Sequence, residues 1–274
     1  MDFTESQIER YSRQIILKEI GGEGQKRLLD GRVVIIGAGG LGSPAAYYLA
    51  AAGVGTIGIV DNDTVDLSNL QRQILHFTQD AGHVKTESAR EKLTALNPDC
   101  NIILHTTRIT AANALDIIGN YDAVINGCDN FPTRYLINDA CVISKTPLFE
   151  GAVIGFSGQV MTIIPGKTAC YRCLYEEPPP PGLIPSCQEA GVLGTIPGVI
   201  GLIQATEAVK WFLGKGKLLT NRVLLYSALE MEFTELPLTR NEKCPVCGNQ
   251  PSIHELREDT YTMNHTCERR RGAD

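Results

Sequence analysis

Between Val33 and Ala52 the chain reads VVIIGAGGLGSPAAYYLAAA: an apolar run, a glycine-rich turn and a helix-forming stretch in unbroken succession. Few folds accept that order. Val33 to Ile36 are β-formers that read as a buried strand, Gly37-Ala38-Gly39-Gly40-Leu41-Gly42 is a G-x-G-x-x-G, and a helix is expected from about Leu41 to Ala52. Glycines in such a turn let the backbone bend tightly and approach a phosphate, while the helix behind them offers its free N–H groups to the anion. A second strand, Ile57 to Val60, ends at Asp61, about 20 residues beyond the turn, where a carboxylate commonly holds a ribose hydroxyl. Alone, the turn points first to NAD or FAD. Asn69, Arg72 and Lys85 then supply an amide and two cations, a set that suits a triphosphate better than a dinucleotide. The plain alternative for the two cations is an exposed basic surface.

The rest of the first half alternates. Thr4-x-x-Gln7 reads as a capping box opening a helix with Ile8, Tyr11 and Ile15 on one face. Thr86–Leu96 has helical spacing and stops at Asn97-Pro98, followed by a strand near Ile102–His105, a short helix near Ala111–Ile118 and a strand at Ala123–Asn126. Such alternation predicts an α/β, Rossmann-like doubly wound sheet with a parallel N-terminal half. Asp129 falls just past a strand's carboxyl end, where ligands collect in open α/β sheets. It reads either as the N-cap of a helix beginning near Pro132 or as an oxygen ligand for Mg2+, and Asn130 can take the cap if Asp129 takes the metal.

Beyond Pro147 the pattern changes. Glycine-rich β-segments (158–164, 223–227, 231–236) bracket one helix from about Gly198 to Leu213, which predicts antiparallel strands added by the C-terminal half. Between them YEEPPPPGLIPS (175–186) is stiffened by four prolines and reads as a long mobile connection ending at Cys187. Cys170-x-x-Cys173 and Cys244-x-x-Cys247 are matched thiol pairs, the ligand set of a structural zinc knuckle that closes a loop of about 70 residues. A redox role is the alternative, but neither pair opens the helix of a thioredoxin-like unit. A complete four-thiol site leaves His254, His265 and Cys267 without a metal role, and Cys100, Cys128 and Cys141 read as small buried apolar residues.

Composition sets outer bounds. The 274 residues, 43% of them hydrophobic, suffice for one large domain, and a net charge of −6 argues against nucleic acid or a membrane surface as the main partner. The charged start MDFTESQIERYSRQ carries no export signal, and Val192–Ile203 is too short and glycine-broken to span a bilayer. Nine cysteines without an export signal suggest metal binding or catalysis in a reducing, cytoplasmic setting.

Taken together, RYSRQ (10–14), GAGGLG (37–42), D-x-D-x-V-x-x-S-N-L-x-R-Q (61–73), GCDNFPTRYLINDAC (127–141), CYRC (170–173), CQEAGVLG (187–194) and CPVCG (244–248) resemble the MoeB/ThiF/HesA family of bacterial ubiquitin-activating-enzyme-like adenylyltransferases. The resemblance covers roughly residues 4–255 and implies a single domain over 1–256: an N-terminal helical segment (1–30), a nucleotide-binding half (31–150) and a carrier-binding half (151–256) with the zinc site and the mobile loop 175–187. Residues 257–274 read as a disordered tail. It further implies ATP-dependent adenylation of the C-terminal glycine carboxylate of a small ubiquitin-like sulfur carrier ending in Gly-Gly, in a molybdopterin, thiamin or other sulfur-requiring pathway. Gly37, Gly39, Gly40, Gly42, Asp61, Asp63, Asn69, Arg72 and Lys85 would hold ATP, Asp129 would hold Mg2+, and Cys170, Cys173, Cys244 and Cys247 would hold Zn2+ remote from the chemistry. Arg13, on its own reading a solvated helix arginine, would reach the phosphates of the neighbouring subunit of a homodimer. Cys187, otherwise a buried inert thiol, would be placed to accept sulfur or an acyl group. No rhodanese-like segment follows Gly248, so a separate sulfur donor, a cysteine desulfurase or rhodanese, is expected. Thr195 and Ser227 depart from the family pattern, which commonly has a proline or small apolar residue and an aspartate there. The competing functions are a tRNA-modifying ATP-dependent dehydratase, an NAD-linked oxidoreductase and a catalytically silent zinc scaffold.

Overall fold

Strand β1 (Arg32–Ile36) is buried from Val33 onward, as four β-branched residues at the centre of a covered sheet should be. In the computed structural model, which describes residues 3–179 and 190–261, β2 (Thr56–Val60) and β4 (Ala123–Asn126) pair parallel to β1 on either side. β3 (Asn101–His105) lies parallel beyond β2, and β5 (Leu148–Ile154) parallel beyond β4. β6 (Ser157–Ile163) folds back on β5, and β7 (Arg222–Ser227) and β8 (Glu232–Pro237) continue antiparallel. The order is β3-β2-β1-β4-β5-β6-β7-β8, a parallel half extended by an antiparallel one, as the sequence suggests.

The pleat distributes β1 between two cores. Val33 and Ile35 face one cluster with Leu28, Leu49 and Ala208, while Val34 and Ile36 face the other with Val124, Leu136 and Leu148. Helices α3 (Gly42–Ala52) and α8 (Thr195–Leu213) cover the first face and α5 (Ala114–Ile118) and α6 (Phe131–Ser144) the second, with α4 (Lys85–Leu96) leading into β3. At the N-terminus the capping box forms: Thr4 Oγ1 accepts from the Gln7 N–H at 3.2 Å, and Gln7 Oε1 accepts from the Thr4 N–H at 3.1 Å, opening α1 (Glu5–Ile15). Of the expected apolar face only Tyr11 is fully buried, receiving a hydrogen bond from Asn97 Nδ2 at 2.9 Å, whereas Ile8 is exposed.

Several elements differ from expectation. Helix α2 (Gly21–Asp30) was masked by the glycines that open it, and β5 by Gly151 within it and Gly155 just after it. The short α7 (Tyr171–Leu174) begins after its N-cap Cys170 and carries Cys173, so it spans the first thiol pair. The expected tail boundary at 257 falls inside packed structure: Glu258 accepts from the Ala111 N–H at 3.0 Å, and buried Tyr261 donates to Asp139 Oδ2 at 2.9 Å. A buried carboxylate has drawn this polar stretch onto α6. Residues 180–187 of the proline-rich loop, Cys187 and the end of the chain from 262 lie outside the described residues. No helix among the described residues is long and apolar enough to cross a membrane.

Candidate active site and four-thiol cluster

The sheet order reverses between β1 and β4, and there, at the strands' carboxyl ends, a cleft of about 1510 Å³ opens. Its floor is the glycine-rich turn. Gly37 has φ of +99°, and a side-chain carbon on it would stand 3.0 Å from the Gly127 carbonyl oxygen. Gly42, at the start of α3, would place such a carbon 1.9 Å from the Gly37 carbonyl. Gly37, Gly39 and Gly40 line the cleft, whereas Gly42 serves the packing of helix on strand and does not. Among the described residues no acceptor takes the N–H of Gly39, Gly40 or Leu41, which leaves a cluster of donors for an anion.

Asp61 closes one side. Its Oδ2 accepts from the Ala38 N–H and its Oδ1 from the Asp63 N–H, both at 2.8 Å, so the carboxylate braces the turn it faces. Lys85, only 5% exposed, directs Nζ to Asp63 Oδ2 at 3.0 Å. Arg72 Nη1 donates to the Ser68 carbonyl at 3.2 Å. Asp61, Asp63, Arg72 and Lys85 all line the cleft. Asn69 does not: its Oδ1 accepts from the Asp66 N–H at 3.3 Å, closing a capping box on the short 3-10 turn that carries Arg72 forward. The Asn69 Nδ2, the donor a phosphate would need, has no acceptor among the described residues.

The opposite side settles the capping question. Asn130 Oδ1 accepts from the Thr133 N–H at 3.0 Å and caps α6, and Asp129 lines the cleft with no hydrogen bond or ion pair among the described residues. The loop bearing Asp129 is held from below by residues the motifs did not single out. Buried Asn126 accepts from the Cys128 N–H at 3.0 Å and donates to Glu150 Oε2 at 2.6 Å. Arg134 pairs with Glu150 and donates to the carbonyls of Cys128 at 3.0 Å and Gly151 at 2.7 Å. Gln204 Nε2 donates to the carbonyls of Asn126 and Phe149 at 2.8 Å each, tying α8 to β4 and β5. Burial pushes the Glu150 carboxyl above its ordinary range despite Arg134 and Asn126, and it pushes the Cys128 thiol up to about 12, so Cys128 is no nucleophile. A glutamate inside the apolar run of β5 was the one sequence signal for this network.

Arg13 is exposed in the last turn of α1, without a partner among the described residues and away from the cleft lining. Cys187 lies outside the described residues.

Four sulfurs converge where the two thiol pairs meet. The Sγ atoms of Cys170, Cys173, Cys244 and Cys247 lie within 4.8 Å of one another, with 3.9 Å between Cys170 and Cys173, 3.6 Å between Cys170 and Cys244 and 3.4 Å between Cys173 and Cys247. A tetrahedron of thiolates at Zn–S bonds of about 2.3 Å requires S···S separations of ~3.8 Å, and the Asn241 N–H pointing at Cys173 Sγ from 3.3 Å favours a thiolate. The cluster fits a zinc knuckle.

Known proteins are similar to this chain in sequence and in fold. The protein E. coli MccB has the same fold: its crystal structure with ATP superposes with a TM-score of 0.75 over 87% of this chain and 74% of that one, at 25% identity. The sulfur carrier protein adenylyltransferase of Thermus thermophilus is 49% identical, over 93% of this chain and 96% of that protein. The SAMP-activating enzyme E1 of Haloferax volcanii is also 49% identical, over 89% and 90%. The probable adenylyltransferase/sulfurtransferase MoeZ of Mycobacterium tuberculosis is 47% identical over 87% of this chain, which spans 62% of MoeZ. The ThiF family model matches residues 11–246, a span that takes in the glycine turn, Asp61, Lys85, Asp129 and the three thiols from Cys170 to Cys244, and on that match this chain belongs to the ThiF family.

Proposed function

We propose that this protein is an ATP-dependent adenylyltransferase acting on the C-terminal carboxylate of a small ubiquitin-like sulfur-carrier protein. One observation carries the reading: the free N–H groups of the glycine turn, the cations Arg72 and Lys85 and the unpartnered carboxylate of Asp129 line one cleft. A dehydrogenase needs no such collection. The likeness to relatives named for carrier activation supports the substrate class, and an MccB structure with ATP supports the nucleotide.

In this reading the triphosphate lies over the glycine turn, with Arg72 and Lys85 neutralising it and Asp61 on the ribose side. Asp129 is a hard oxygen donor suited to Mg2+, which when bound would screen the phosphates and ease departure of pyrophosphate. The carrier carboxylate, ionised at neutral pH, attacks the α-phosphorus; the bond to pyrophosphate breaks and an acyl-adenylate and pyrophosphate result. No general base is needed. The chain's contribution is positioning and charge, with the Asn126–Glu150–Arg134 network fixing the loop that presents Asp129. The four thiols hold Zn2+ for structure. Arg13 completes the site of a partner subunit in a homodimer, and sulfur reaches the activated carrier from a separate donor protein. A cytoplasmic setting suits these reduced thiols.

The test is carrier-dependent exchange of pyrophosphate into ATP. The wild-type protein with a Gly-Gly-ending carrier should exchange, and Asp129→Ala should lose at least about a hundredfold by removing the metal ligand. Hydride transfer to NAD, or undiminished exchange in that variant, would overturn the reading.

A further inference from the structure

Gln73 follows Arg72 on the floor of the cleft, and its backbone is fully committed: its N–H donates to the Asn69 carbonyl at 2.9 Å and its carbonyl accepts from the His76 N–H at 3.1 Å. The residue is 6% exposed. Its carboxamide lies under the glycine turn, with Nε2 3.8 Å from where a side-chain carbon on Gly39 would stand. Among the described residues Oε1 has no hydrogen-bond partner, and Nε2 has no acceptor. Ser43 Oγ, Gln204 Oε1 and Arg222 Nε are also buried and unpaired among the described residues, but only Gln73 lines the cleft.

A buried amide oxygen without a donor carries its desolvation cost uncompensated. Its neighbours do not share that condition, since Asp61 is held by two N–H groups and Lys85 by Asp63. An amide also has two donors to place. A single ligand that completes it must therefore bring both lone pairs and a donor hydrogen. Phosphate oxygens supply the first. Beside its phosphates a nucleotide supplies the second as an O–H, in a ribose hydroxyl or in a water on its divalent cation.

The geometry points to Gln73 as a nucleotide-contacting residue, with Nε2 donating to a phosphate oxygen over the glycine turn and Oε1 accepting from an O–H brought in by the nucleotide. This rests on the nucleotide reading of the cleft proposed above. It assigns the unpaired amide a purpose: the site is left polar and unsatisfied in the free protein so that it is satisfied on binding.

Calorimetric titration of the full chain with ATP and Mg2+ tests it. Wild-type protein that takes up no ATP overturns the nucleotide reading itself. Given wild-type binding, Gln73→Met, which keeps the length and removes the hydrogen bonds, should bind about tenfold more weakly. Its melting temperature without nucleotide should be unchanged or higher, because an unpaired polar group has been removed. Gln73→Glu should bind more weakly still, through repulsion of phosphate. Titrations with 2′-deoxy-ATP, 3′-deoxy-ATP and metal-free ATP identify the O–H: the Met variant's deficit vanishes with a deoxynucleotide if the ribose supplies it and without metal if water does. Wild-type affinity in Gln73→Met overturns the inference. So does a lowered melting temperature in Gln73→Met together with wild-type affinity in Gln73→Glu, which would mark a structural role.

Discussion

His76 Nε2 stands 3.0 Å from the carbonyl oxygen of Ala38, in the middle of the glycine turn. The same peptide unit's neighbour is gripped on its amide side by Asp61, so Ala38 is held at both ends. On the imidazole's far side Nδ1 lies 2.8 Å from Ser88 Oγ, which anchors the ring to α4. A helix thus steadies, through one histidine, the loop proposed to meet the phosphates.

That placement sets a pH dependence. Burial pushes the His76 pKa below its ordinary value, with Lys85 in the same sense and Ala38, Asp61 and Asp80 opposing. The unfolded chain, with histidine near ~6.5, therefore binds more protons than the folded one just below that pH, and stability present above it is lost as the pH falls. Melting temperatures measured between about pH 7 and pH 5 should decline, and His76→Gln should flatten the decline. It should not abolish it, because burial lowers His105 as well. An identical slope in the variant would remove His76 from the account.

Elemental analysis of purified protein should find about one zinc per chain. Cys170→Ser should lose the metal and lower the melting temperature without unfolding the protein, since the core on the α3 face of the sheet contains none of the four thiols. Retained zinc in that variant would count against the cluster as its site.

If Arg13 serves a partner's cleft, Arg13→Ala and Asp129→Ala should each be inactive alone. Mixed after subunit exchange, they should regain part of the activity through heterodimers with one intact site. An active monomer, or a mixture that stays dead despite proven exchange, would refute the arrangement.

Cys187→Ala should keep pyrophosphate exchange near wild type, because adenylation uses no thiol. If Cys187 relays sulfur or acyl groups, that variant should lose thiocarboxylate formation. Alkylation at neutral pH should then modify Cys187 well before Cys100, whose thiol burial pushes up to about 12. Equal rates at the two would leave Cys187 no special reactivity.

What the sequence disclosed was local. The glycine turn, its flanking strand and helix, the capping box at Thr4 and each single C-x-x-C lie within a few residues, so spacing and residue type sufficed. Asp129 and Asn130 could be divided only by seeing which one reached Thr133. The Glu150–Arg134–Asn126–Gln204 network joins two strands and two helices from positions up to 78 residues apart, and no local pattern announces it. Asn69 reads in the sequence as an amide beside cations, and spacing alone did not show that its Oδ1 also meets the Asp66 N–H. Helix α2 and strand β5 hid behind glycines, where tertiary packing overrides weak propensity.

In the strand order every neighbouring pair is also consecutive in the chain except β1 and β4. Val33 meets Ala123 across that one seam, and the cleft opens at its end. The crevice therefore has no existence before the longest-range pairing in the sheet is made, while the remaining strands can zip outward one after another. Assembly of the site waits on closure of the sheet. A nucleotide that binds only the finished crevice should slow the parting of β1 from β4, and so act as a clasp on the seam that created its own berth.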